Sequence, residues 1–257
     1  MATSPSKFVW YELMTTDATA AEAFYGQVIG WKTQDAGMSD MRYTLLSLGD
    51  TMIAGLMAVP PEAVAMGARP AWFGYVSVDD VDACAQRLRQ AGGSVHKEPE
   101  DIPGVGRFAM VADPQGAVFA IFKGNSTEQP RQPAAGTPGT FGWHELHAGD
   151  GPSAFEFYAS QFGWSRGEAM DMGAMGTYQI FGMAGEQAGG MMTKMSDMPM
   201  PCWVYYINVD GIDAAIERVG VHGGKLIHGP QEVPGGSWIA NCLDPQGAMF
   251  AMVSARR

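Results

Sequence analysis

The chain is poor in several things, and each shortage excludes something. Of 257 residues only three are cysteines, Cys84, Cys202 and Cys242. They are odd in number, widely spaced and free of any Cys-x-x-Cys, which argues against a disulfide framework or a zinc ribbon and suits a reducing cytoplasm. Charged residues make up only 17%, and the 16 basic ones are outnumbered by 27 acidic ones. With no basic stripe or tail, nucleic acid is not an expected partner, and the net charge of −11 is read as a matter of solubility. No apolar run approaches the roughly 18 residues of a membrane helix. No apolar stretch follows the first basic residue, Lys7, as a signal peptide requires. The expected location is therefore the cytoplasm, with no membrane partner.

What is present is an apolar fraction of 46% with 34 glycines and 16 prolines. At about 100–200 residues per domain the chain is one large domain or two small ones. The most informative pattern is internal. Phe8-Val9-Trp10-Tyr11-Glu12-Leu13 returns 133 positions later as Phe141-Gly142-Trp143-His144-Glu145-Leu146. The same offset relates Asp17 to Asp150, Phe24-Tyr25 to Phe157-Tyr158 and Gly30-Trp31 to Gly163-Trp164. From Trp72 and Trp203 onward the offset is 131, through Gly92-Gly93 and Gly223-Gly224 to Asp113-Pro114-Gln115-Gly116 and Asp244-Pro245-Gln246-Gly247. A net two residues are thus missing from the second copy between Trp164 and Trp203. A repeat this long is domain-sized. The expected division is 7–124, a Pro/Gly linker over 125–138, and 139–254.

Each copy predicts the same order of elements. A strand over 8–15 leads to Asp17, a good helix N-cap, followed by Ala20, Phe24, Val28 and Ile29 at helical spacing. Gly30 suits the left-handed residue that ends a helix. A hairpin is expected over 43–57 with its turn at Gly49-Asp50, then a Pro/Gly-containing connection over 59–70. A strand over 72–78 and a helix from 80 to 91 follow. Strands near 94–97, 106–112 and 117–123 complete the copy. The last two are joined at Asp113-Pro-Gln-Gly116, a turn with Pro second and Gly fourth. Each copy is two β-α-β-β-β modules.

The strand–Asp–helix–Phe-Tyr–Gly-Trp opening, the second helix start over Val76–Asp82 and the Asp-Pro-x-Gly closing hairpin together resemble the vicinal oxygen chelate superfamily of glyoxalases, bleomycin-resistance proteins and extradiol dioxygenases. The resemblance implies an α+β chain of two tandem domains, each with two βαβββ modules whose sheet curls around a cavity with helices outside. It also implies metal ligands on three strands in the metal-dependent members. At those positions this chain has Trp10 and Trp143, Phe73 and Val204, and Ala120 and Ala251. None offers a lone pair to a divalent cation, so no cofactor is expected and a divalent metal is disfavoured.

Strand alternation then sets the expected lining. Trp10 and Glu12 share a face, as do Trp143, Glu145 and His147; His144 and Leu146 take the other. Phe73 and Tyr75 share a face, and Val204 and Tyr206 do so in the second copy. Trp72 and Trp203 fall on the opposite parity, as core residues. The expected ligand-binding residues are Trp10, Glu12, Phe73, Tyr75, Ala120, Trp143, Glu145, His147, Tyr206 and Ala251. Glu12 and Glu145 admit three readings: ligand acceptor or general base, structural carboxylate, or metal ligand. Nine of the 19 methionines lie between Met170 and Met200, read either as gap filling or as a soft lid over an apolar ligand. His96, His222 and His228 are assigned surface or structural roles.

Two functions follow. The first is a small-molecule-binding protein without the family's metal, taking a small apolar or aromatic molecule in a mostly apolar cleft. The alternative is a lyase, isomerase or dioxygenase-type enzyme using Glu12 and Glu145, helped by His147, as base or unconventional ligands. A non-catalytic partner-binding scaffold is a third class for which no residue speaks. Two copies in one chain allow a monomer with internal domain pairing; a homodimer is the other arrangement.

Overall fold

A computed structural model describes residues 6–38, 41–126 and 133–257. The first copy runs β1 (Phe8–Thr15), α1 (Ala18–Val28), β2 (Lys32–Asp35), β3 (Tyr43–Leu48), β4 (Thr51–Ala58), α2 (Pro61–Ala65), β5 (Ala71–Ser77), α3 (Val81–Gln90), β6 (Ser94–Ile102), β7 (Gly106–Ala112) and β8 (Val118–Gly124). The second runs β9 (Phe141–Ala148), α4 (Gly151–Phe162), β10 (Ser165–Asp171), β11 (Thr177–Met183), β12 (Glu186–Thr193), β13 (Cys202–Asn208), α5 (Ile212–Val221), β14 (Lys225–Glu232), β15 (Trp238–Leu243) and β16 (Met249–Ser254). Much of the expected linker, 127–132, lies outside the described residues.

The described residues form two open eight-stranded mixed sheets, ordered β2-β3-β4-β1-β5-β8-β7-β6 and β10-β11-β12-β9-β13-β16-β15-β14. Within each module the first strand pairs parallel with the last, as β1 with β4 and β5 with β8, while the hairpins pair antiparallel. Asp17, Asp80 and Asp150 cap α1, α3 and α4 by accepting from the backbone N–H three residues on, at 2.9–3.0 Å. Such a cap satisfies one of a helix's orphan donors. Gly163 ends α4 in the left-handed conformation at φ 71°, where a Cβ would be strained.

Three details depart from the sequence expectation. Strand β2 was not located there, because Lys32-Thr33-Gln34-Asp35 is exposed at every residue and shows no alternation. β6 extends from Ser94 to Ile102, beyond the expected 94–97. The 59–70 connection contains the short helix α2. The offset is also not constant across the missing residues: Tyr43 of β3 corresponds to Tyr178 of β11, and Gly55 of β4 to Gly190 of β12, both 135 apart. The second copy therefore gains two residues before its hairpin and loses four after it.

The chain also divides into two compact units that do not follow the repeats. Of the described residues, one comprises 6–9, 73–126 and 143–204; the other comprises 10–38, 41–72, 133–142 and 205–257. Each unit thus joins the first module of one copy to the second module of the other. The repeated motifs do the joining. In one unit Trp72 Nε1 donates to Tyr25 Oη at 2.8 Å, and Tyr25 donates to Asp244 Oδ2 at 3.2 Å. In the other, Trp203 Nε1 donates to Tyr158 Oη at 3.0 Å and Tyr158 to Asp113 Oδ2 at 3.2 Å. Asp113 and Asp244 also hold their own turns, each accepting two backbone N–H bonds. Trp72 and Trp203 are therefore core residues, as their parity implied.

Candidate functional site

Each copy carries the same hydrogen-bonded chain on its first strand. Trp10 Nε1 donates to Tyr43 Oη at 3.0 Å, and Tyr43 donates to Glu12 Oε2 at 2.9 Å. In the second copy Trp143 Nε1 donates to Tyr178 Oη at 2.8 Å, and Tyr178 donates to Glu145 Oε2 at 2.9 Å. The carboxylates are buried, Glu12 at 4% and Glu145 at 8% exposure, so each needs a partner. Burial first, and the neighbouring carboxylate second, push both tyrosine hydroxyls above their ordinary range. They therefore stay protonated and can donate.

Glycine makes the chain possible. Gly55 lies opposite Glu12 in the β1/β4 register, and Gly190 opposite Glu145 in β9/β12. A Cβ on Gly55 would stand 1.9 Å from Tyr43 Oη, and one on Gly190 would stand 2.0 Å from the Tyr178 ring. The tyrosine thus occupies the room a side chain on β4 or β12 would take. Sequence comparison missed both tyrosines because an offset of 133 sets Tyr43 against Gly176 and one of 131 sets it against Ala174. The signal that finds them is the Tyr-then-Gly pair, shifted together.

The copies differ two residues further along the same face. His147 Nε2 stands 2.8 Å from Glu145 Oε1; the corresponding residue of the first copy is Met14. Tyr178, Ile180 and Met192 form a buried cluster, against which Trp143, Met170 and Met172 pack. Of the methionine-rich segment, Met170, Met172 and Met192 thus border this group, whereas Met175, Met195 and Met200 are exposed. Cys202 is close enough to Glu145 for the carboxylate, after burial itself, to help push the thiol up to about 11.

The other expected site residues lie on the second modules. Tyr75 is opposite Ala120 in the β5/β8 register, near Phe108 and Phe122 at centroid distances of 6.2 and 6.3 Å. Phe73 is half-buried on the same strand, and Lys97 Nζ sits 5.4 Å from the Phe108 ring centre. Tyr206 is opposite Ala251 in β13/β16, both buried. His144 belongs to the opposite face, where it stacks on Phe8 at 4.4 Å with Nδ1 2.7 Å from Ala188 O. Burial lowers its pKa from 6.5 to about 4. His96, His222 and His228 are exposed.

A divalent metal does not fit these donors. Trp10, Trp143, Phe73, Val204, Ala120 and Ala251 have no ligating atom. Among the described residues no three His, Cys, Asp or Glu side chains converge. Glu145 and His147 supply two donors, and one carboxylate oxygen already accepts from Tyr178.

The family model for the Glyoxalase/Bleomycin resistance protein/Dioxygenase superfamily matches residues 7–121 and 140–252, and the chain belongs to that superfamily, with two tandem copies of its fold. A Mycobacterium bovis protein named "Putative glyoxylase CFP32" is 30% identical over 250 residues, covering 95% of this chain and 93% of that protein. "Anthracycline biosynthesis protein DnrV" of Streptomyces peucetius is 30% identical over 268 residues, covering 98% of this chain and 94% of that protein. Among solved structures, the Mn(II)-bound glyoxalase from Novosphingobium aromaticivorans superposes with a TM-score of 0.65 at 16% identity, covering 99% of this chain and 83% of that one. The 2,3-dioxygenase LapB from Pseudomonas sp. KL28 gives 0.66 at 10%, covering 98% and 93%. These two likenesses concern the fold.

Proposed function

We propose that the chain is a metal-independent binder of small aromatic molecules. The observation that carries this is the repeated Trp–Tyr–Glu chain, in which an indole stands where the resemblance puts a metal ligand and a tyrosine fills the room beside it. Each such group offers what a small-molecule site uses: an aromatic wall and a few fixed polar atoms. Trp10 and Trp143 are half-buried, so a flat ring can reach them. The full-length similarity to a protein named for anthracycline biosynthesis makes planar, fused-ring compounds the first to try. Titration with a panel of flat aromatic compounds is expected to quench tryptophan fluorescence saturably, and Trp10→Phe and Trp143→Phe are expected to remove most of the change. No response across the panel rejects the reading.

A second reading is favoured by one asymmetry. Among the described residues only the second copy sets an imidazole beside its carboxylate, which is the composition of a general-base pair. In that reading the second copy hosts acid–base chemistry and the first only binds.

A further inference from the structure

His147 is 9% exposed. Among the described residues neither of its ring nitrogens completes a hydrogen bond, although Nε2 lies at ion-pair distance from Glu145 Oε1. Buried polar atoms are nearly always paired, and an exception calls for a reason. Strand alternation puts the imidazole on the Trp143–Glu145 face. In the β9/β12 register its neighbour is Met192, which belongs to the apolar cluster of Tyr178 and Ile180. The first copy, with Met14 at this place, keeps the Trp–Tyr–Glu chain without any imidazole, so the fold does not require one.

We propose that His147 is the proton acceptor of a phenol-selective half-site confined to the second copy. This rests on the ligand-binding reading above and adds the ligand's class: an aromatic ring bearing an acidic hydroxyl. On binding, the ligand's O–H bond breaks, the proton passes to a ring nitrogen of His147, and the oxygen keeps the electron pair as phenolate. The imidazolium so formed lies between the phenolate and the Glu145 carboxylate. Tyr178, its hydroxyl committed to Glu145, does not compete for the proton, and the Cys202 thiol, raised by burial, stays neutral. The methionine and indole side chains supply the apolar wall for the ring. In the first copy the same ligand would meet a carboxylate with no imidazole to receive the proton, an arrangement that favours cationic compounds instead.

The test uses 4-nitrophenol, whose phenolate absorbs visible light and whose neutral form does not, beside 4-nitroanisole, which has the same ring without the proton. An adjacent opposite charge lowers an acid's pKa by about 1–3 units, so one unit below the probe's own pKa the ionised fraction rises from about a tenth to half or more on binding. The full-length protein is expected to show this gain of about five-fold in phenolate absorbance. For the 4-nitrophenol that His147→Met, which copies the first repeat, or His147→Gln still binds, counted by tryptophan quenching, the ionised fraction per bound molecule is expected to be that of free solution. Variants that ionise the probe like the parent, or a parent that binds the phenol neutral, overturn the proposal. Saturable binding of other aromatics without any phenol overturns it too, leaving the ligand-binding reading intact. Silence towards every compound rejects that reading as well.

Discussion

His144 shows how one strand position decides a residue's chemistry. It lies three residues before His147 on β9, on the opposite face, stacked on Phe8 and buried, with its pKa lowered from 6.5 to about 4. A folded-state pKa below the unfolded value means that the unfolded chain takes up the proton first. Stability is then lost as pH falls from 6.5 towards 4, by about 3 kcal/mol on the linkage relation. Asp113 and Asp244 act in the other direction. Burial raises their pKa values, so their ionised forms cost stability at neutral pH, and acid relieves that cost. Melting temperature followed over pH 7 to 4 is expected to fall in the parent and to fall distinctly less in His144→Gln; equal slopes would reject the assignment. Alternation along Trp143–His147 was enough to separate the two histidines from sequence. Tyr43 and Tyr178 were hidden by the change of offset around the hairpin.

At the level of elements, the helix starts and closing turns were legible because each depends on short-range chemistry: an aspartate cap, a left-handed glycine, a Pro–Gly turn. The edge strands β2 and β10 were not, since their residues are almost wholly exposed and carry no pattern of burial. The Trp–Tyr–Asp locks join a strand, a helix and a turn through one hydroxyl. Tyr25→Phe removes the group that accepts from Trp72 and donates to Asp244. Stranding buried polar atoms costs about 1–3 kcal/mol, equivalent to a melting-temperature fall of roughly 2–4 °C per kcal/mol for a domain of this size. Tyr158→Phe is expected to behave alike through Trp203 and Asp113, and calorimetry of the two variants checks both. An unchanged melting temperature would show that the hydroxyl contributes nothing net.

For the whole molecule, the repeat announces two copies but not how their modules combine. Tyr25 and Tyr158, and likewise Asp113 and Asp244, are the same residue types in the same motifs, so the sequence fits a Tyr25–Asp113 lock as well as the Tyr25–Asp244 lock observed. Nothing local distinguishes them. The two compact units each draw on both copies, so neither copy contains a whole unit. Residues 1–129 and 130–257 expressed separately are expected to be poorly folded or to self-associate, and to recover a 1:1 complex with cooperative melting when coexpressed. A 1–129 fragment that is monomeric and melts like the parent would contradict this.

The way each unit is assembled from separated stretches of chain also governs its birth on the ribosome. One unit lacks part of its core until Val204 has been made, and the other until the last strand, β16, is complete. At about 5–20 residues per second, the newly emerged first copy must wait on the order of ten seconds for its counterpart. During that interval Trp72 and Tyr25 have no Asp244 to meet, and their aromatic surfaces lie open to other nascent chains. The acidic surplus of the sequence, spread over both copies, is well suited to keeping such half-made chains apart until the second copy arrives.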